Sequence, residues 1–162
     1  VLLARALVLS PDVLVCDEPV SALDVSIQAQ VINLLADLKQ HHALTMLFIS
    51  HDLRVVRHLC DRIAVLFAGR IVEIGPAAAV IGAPKHPYTR LLVDALPPDR
   101  PGERRHRSER SAPKPVAAGI TGTGCAFALR CPKAQPCCDQ SVPELRPVRP
   151  RHDIACLLAE EP

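Results

Sequence analysis

Two adjacent carboxylates are the first residues in this chain that could do chemistry. In Val13-Leu14-Val15-Cys16-Asp17-Glu18-Pro19 a short apolar run ends in Asp17 and Glu18. Such a run suits a parallel strand buried on both faces. Ligands of open α/β sheets gather at the carboxyl ends of those strands. A carboxylate there can hold Mg²⁺ through its water shell. Its neighbour can orient or deprotonate an attacking water. Taken alone, the two acids read equally well as a capped strand end. Ser21-Ala22-Leu23-Asp24 follows two residues later, and a second apolar run, residues 44–50, leads into His51-Asp52. A histidine at that point can donate a hydrogen bond to a terminal phosphate oxygen and stabilise developing charge; a lone one would read as a turn residue. The order strand-Asp-Glu, capped helix, strand-His forms a constellation.

The elements that must position these groups are legible in outline. Residues 1–9 read as helix interior with no capping residue ahead of Val1, the pattern expected of a fragment. Ser10-Pro11-Asp12 breaks that helix. Asp24 can cap a helix over residues 25–40, with Ile27, Val31, Leu34, Leu35 and Leu38 on one stripe. Residues 52–60 predict a short helix with Leu53, Val56 and Leu59 inward. Residues 63–67 and 70–74 flank Ala68-Gly69 and read as a hairpin. Strand–helix–strand alternation implies an α/β layered domain with a parallel core. His86-Pro87-Tyr88-Thr89 opens a helix over residues 87–96, since Pro suits a first turn. Cys16 and Cys60 read as small core residues. His41 and His42, at a helix end, read as solvated surface.

Composition divides the chain. Before residue 97 there are two cysteines and five prolines; after residue 96 there are five and eleven. Residues 97–124 read as a solvated linker, with Arg104, Arg105 and Arg107 interspersed among Glu103 and Glu109. Residues 125–162 hold too little apolar sequence for a core of their own and need a staple. Cys125, Cys131, Cys138 and Cys156 are separated by five, six and seventeen residues, with Cys137 an extra neighbour. Disulfides, a zinc ion (with His152 as an alternative ligand), an iron–sulfur cluster and plain free thiols all remain open on spacing alone. A net charge of +2 offers no electrostatic case for nucleic acid, and 2% aromatics are too few for base-stacking platforms. Residues 1–9 carry Arg5 and no small-residue cleavage site follows, which argues against a signal peptide.

With these motifs in place, VLVCDEPVSALD followed by ISHD resembles the ABC ATPase family: Walker B, D-loop and switch histidine in sequence. DRIAVLFAGRIVEIG and HPYTRLLVDALP are similar to the branch serving oligopeptide, dipeptide and nickel importers. The resemblance implies the C-terminal half of a RecA-like P-loop nucleotide-binding domain (residues 1–75), a family-specific helical segment (76–96), the linker (97–124) and a small Cys-rich extension (125–162). It implies ATP and Mg²⁺, with Asp17 assisting the metal, Glu18 as general base, Asp24 in the loop that meets the opposite subunit, and His51 on the γ-phosphate. Expected partners are a second ATP-binding subunit, two transmembrane permease subunits and, indirectly, an extracytoplasmic peptide-binding protein. The expected location is the cytoplasmic face of the cell membrane, as a peripheral protein. The tail resembles an extension that in some members carries a [4Fe–4S] cluster, pointing to Cys125, Cys131, Cys138 and Cys156, with zinc the alternative. Three family parts are missing from the sequence: G-x-x-x-x-G-K-[ST], Ser-Gly-Gly-Gln and the Gln-loop. The chain alone is therefore expected to bind ATP weakly and not to hydrolyse it. Two rivals stand beside this reading, a non-enzymatic metal-binding module and a truncated product without function of its own.

Overall fold

A computed structural model describes residues 2–41, 44–97 and 123–159. His42 and nearly all of the linker expected over residues 97–124 lie outside the described residues. The chain divides into two compact units, Val1–Cys60 and Asp61–Pro162.

The first unit is a two-stranded parallel sheet with helices on one side. Strand β1 (Val13–Asp17) pairs with β2 (Thr45–Ile49), Val15 opposite Leu47 and Asp17 opposite Ile49. Helices α1 (Leu2–Val8), α2 (Val25–His41) and α3 (Leu53–Leu59) accompany them. The core is Leu14, Cys16, Leu35, Leu44 and Leu59, with Ala6, Leu7, Val31, Met46 and Phe48 packed against it. The sequence predicted strands buried on both faces, and this is corrected. Leu14 and Cys16 face the helices, whereas Val15 is 61% and Leu47 57% exposed, with Val13 and Ile49 open beside them. Successive strand side chains point to opposite faces, so helices on one side bury only alternate residues. The α2 stripe is corrected too. Leu35 is fully buried, but Ile27 and Leu34 are exposed, because two strands cover a narrower band than the helix offers. In α3 the inward set includes Val55 as well as Val56 and Leu59.

The second unit is built on the hairpin. Strand β3 (Arg62–Phe67) pairs antiparallel with β4 (Arg70–Pro76). Ala68 and Gly69 both have positive φ, 49° and 75°. That is the left-handed twist two-residue hairpins require. Helix α4 (Ala77–Gly82) follows Pro76, inside the helical segment that the resemblance implied over residues 76–96, and α5 (Pro87–Asp94) starts at the expected proline. Two short 3₁₀ turns, Ala128–Arg130 and Pro136–Asp139, carry the cysteine region. Strands β5 (Arg146–Arg149) and β6 (His152–Ile154) then complete the sheet in the order β3-β4-β6-β5. The Cys-rich segment thus takes its core from the hairpin. Phe127, Ile154 and Ala155 are buried, and Phe127 meets Phe67 and Tyr88 with ring centroids 5.2 and 5.4 Å apart.

Candidate functional site

The carboxyl ends of β1 and β2 bring the first constellation together. The Glu18 backbone N–H donates to the Ile49 carbonyl at 3.0 Å. The Glu18 carbonyl accepts from Ser21 Oγ at 2.9 Å. Held this way, Glu18 sits at φ 47°, a left-handed conformation that costs a non-glycine residue of order 1–3 kcal/mol and concentrates at functional sites. Its Oε1 lies 2.8 Å from Nδ1 of His51. His51 is placed by β2 and by the start of α3, where Asp52 accepts from the Arg54 N–H and caps the helix. The Glu18 carboxylate, through hydrogen bond and charge, raises the His51 imidazole above its ordinary 6.5. Asp17 ends β1 with an exposed side chain, and the Asp24 carbonyl accepts from Gln28 as α2 begins. Glu18 and His51, thirty-three residues apart, are in contact.

In the second constellation, Cys125 lies near Cys138 and Cys156, and Cys131 near Cys125, Cys138 and Cys156. The Cys125 N–H donates to the Cys138 carbonyl at 2.7 Å. Burial pushes the Cys125 and Cys131 thiols up, and the neighbouring thiols add to that. Among the described residues no three His, Cys, Asp or Glu side chains come close enough together to hold one metal ion. Cys137 is exposed and Cys138 buried, which separates the two neighbours.

A third constellation was missed in the sequence. Glu73, on β4, is fully buried. It accepts from the Lys85 N–H at 2.9 Å, the His86 N–H at 2.9 Å and Nε2 of His152 at 2.8 Å. Nδ1 of His86 in turn accepts from the Tyr88 N–H at 3.1 Å, capping α5. Burial pushes the His86 imidazole down, against an opposing pull from Glu73. The one available signal was an acid inside the apolar run Ile71-Val72-Glu73-Ile74.

Residues 72–138 match the family model described as the oligopeptide/dipeptide transporter, C-terminal region. A Brucella ovis protein, provisionally named a peptide import ATP-binding protein, is 54% identical over 155 residues, 96% of this chain and 49% of the relative. A Brucella abortus protein of the same description is 47% identical over 164 residues, 98% of this chain and 46% of the relative. A third, from Brucella melitensis, is likewise 47% identical, with 41% of its length covered. Over nearly its whole length this chain is similar to part of proteins named as peptide import ATP-binding proteins. It spans about half the length of the curated relatives it matches. The matched residues include Glu73, His86, Cys125, Cys131 and Cys138, while Glu18 and His51 precede them. No described helix of this chain is long and apolar enough to cross a membrane.

Proposed function

We propose that this chain supplies the water-activating half of an ATP-hydrolysing subunit that energises oligopeptide or dipeptide import. The observation that carries the reading is the Glu18–His51 contact of 2.8 Å at the carboxyl ends of two parallel strands. The relatives' names and the family region support it. The fold it implies is one half of a RecA-like ABC nucleotide-binding domain with a Cys-rich extension.

In this reading Glu18 takes a proton from water as the water oxygen attacks the γ-phosphorus, and ADP departs. His51 is engaged through Nδ1, so Nε2 is free to face a γ-phosphate oxygen. The imidazole would neutralise charge there and orient Glu18. Asp17 would hold the waters of the Mg²⁺ that accompanies ATP, an ion that would screen phosphate charge. Asp24 belongs to the surface offered to a second ATP-binding subunit. Two transmembrane permeases and an extracytoplasmic peptide-binding protein complete the importer, with this subunit peripheral on the cytoplasmic face.

The test is a chimera joining the preceding portion of the Brucella ovis relative to this chain. The chain alone is expected to show no turnover and the chimera to hydrolyse ATP. Glu18→Gln in the chimera is expected to lower kcat by roughly 10²–10⁴ with nucleotide binding retained, the range for losing a general base. Turnover left intact by Glu18→Gln sinks the mechanism.

We further propose that Cys125, Cys131, Cys138 and Cys156 hold a [4Fe–4S] cluster. Four thiols are its donor set, and they act on one another here. When bound, the cluster would cross-link a segment that has little core of its own.

A further inference from the structure

The buried Glu73 carboxylate joins three stretches of sequence that are otherwise far apart. Strand β4 carries it, the α4–α5 connection donates two backbone N–H groups to it, and β6 donates Nε2 of His152 from seventy-nine residues away. A fully buried carboxylate is tolerated only when its lone pairs are met by donors. The His152 ring is itself 1% exposed, and its Nδ1 has no partner among the described residues. The bond to Glu73 is therefore the polar anchor of that ring. From His152 the chain runs along β4, with Ile154 opposite Glu73 and the Ala155 N–H donating to the Val72 carbonyl at 2.9 Å. Cys156 is the next residue, its carbonyl accepting from Nη2 of Arg146 at 3.0 Å.

We propose that Glu73 is a positioning residue for the thiol group: through His152 it holds β6 in register and so places Cys156 with Cys125, Cys131 and Cys138. The proposal rests on the reading that these four thiols share one metal cluster. It gives the His-Pro-Tyr stretch a role as well, because the Lys85 and His86 N–H groups hold the carboxylate in the orientation that meets His152.

The experiment uses the full chain, metal-free and anaerobic, with iodoacetamide and site-resolved mass spectrometry. His152→Leu removes the donor while keeping an apolar filling. Cys156 is then expected to react about tenfold faster, as for loss of a hydrogen bond to a charged group, with Cys131 less affected and Cys16 unchanged. His152→Gln keeps a nitrogen donor near the Nε2 position and is expected to restore Cys156 protection to within about twofold. Equal Cys156 rates in wild type and His152→Leu, or equal rates in the Leu and Gln variants, would overturn the proposal. If His152→Leu also loses amide protection in β3 and β4, Glu73→Asp takes its place, since it shortens the side chain while keeping the charge. Cys156 must then be released with the hairpin intact, and its continued protection also overturns the proposal. Iron and sulfide reconstitution of the same proteins separates the two ideas. Wild type that takes up no iron, with Cys156 released in the variant, removes the cluster and leaves the positioning role. Equal iron content and an unchanged electron paramagnetic resonance signal in wild type and His152→Leu retain the cluster and remove the positioning role.

Discussion

Glu18 and His51 show how one strained residue organises a site. Its positive φ turns the Glu18 side chain away from the direction a continuing strand would take, and the Ile49 and Ser21 contacts hold it there. The carboxylate then sets the protonation of His51. Because the folded imidazole titrates above 6.5, the imidazolium–carboxylate contact is present at lower pH and is lost as pH rises through the folded midpoint. Glu18→Gln removes the charge and should return the His51 midpoint toward 6.5. Nuclear magnetic resonance titration of the His51 ring checks this, and an unmoved midpoint would mean that the 2.8 Å contact is absent in solution.

At the scale of the element, α5 depends on a histidine cap. Nδ1 of His86 can accept from the Tyr88 N–H only while that nitrogen is unprotonated. The ring is buried against Phe127, with centroids 5.8 Å apart. Its folded midpoint lies below the unfolded 6.5, so its contribution is full above 6.5 and is lost as pH falls toward the folded midpoint. Protonation would cost both the cap and the burial of a charge. His86→Asn keeps a side-chain oxygen suited to capping and does not titrate. The variant should show a flatter loss of stability between about pH 7 and pH 5 than wild type, whatever its absolute stability. Denaturant melts of the second unit across that range are the check, and parallel slopes in the two proteins would count against a His86 origin.

At the scale of the whole molecule, the two units solve the burial problem differently. In Val1–Cys60 one sheet face packs on helices, while Val13, Val15, Leu47 and Ile49 form an exposed apolar face. In Asp61–Pro162 the hairpin sheet is extended by β6 and β5, so a segment too poor in apolar residues to fold alone borrows a core. That closure depends on a close approach at Gly124. A Cβ there would stand 2.6 Å from the Cys138 carbonyl oxygen and 2.7 Å from Cα of Asp139, both backbone atoms. Gly124→Ala must therefore break the Cys125–Cys138 hydrogen bond or move the turn. It should destabilise the second unit by about 1–3 kcal/mol, the usual cost of overpacking. Gly82→Ala, with nothing within 4 Å of its added methyl, should be near neutral. Paired melts of the two variants decide it, and equal effects would contradict the close approach.

Local pattern alone announced helices α1, α2, α3 and α5, strands β1 to β4 and the residues of the first constellation. Short apolar runs, an Asp24 of the type that caps helices, the Ala68-Gly69 turn and Pro87 at a helix start are short-range signals, read through φ preferences and periodicity. The acids of Asp17-Glu18 and the histidine of Ser50-His51-Asp52 were visible because strand ends are where parallel sheets gather ligands. Tertiary structure decided the rest. Helix α4 is only six residues of Ala77-Ala78-Ala79-Val80-Ile81-Gly82, too short to show a helical period. One-sided burial of β1 and β2 depends on which neighbours cover them, which no strand's own composition records. Glu73 in its apolar run hints at burial, but nothing in the separate contexts of Glu73, His86 and His152 says that they meet. A buried carboxylate is made tolerable by donors from distant segments, and only the packed chain brings those donors to it.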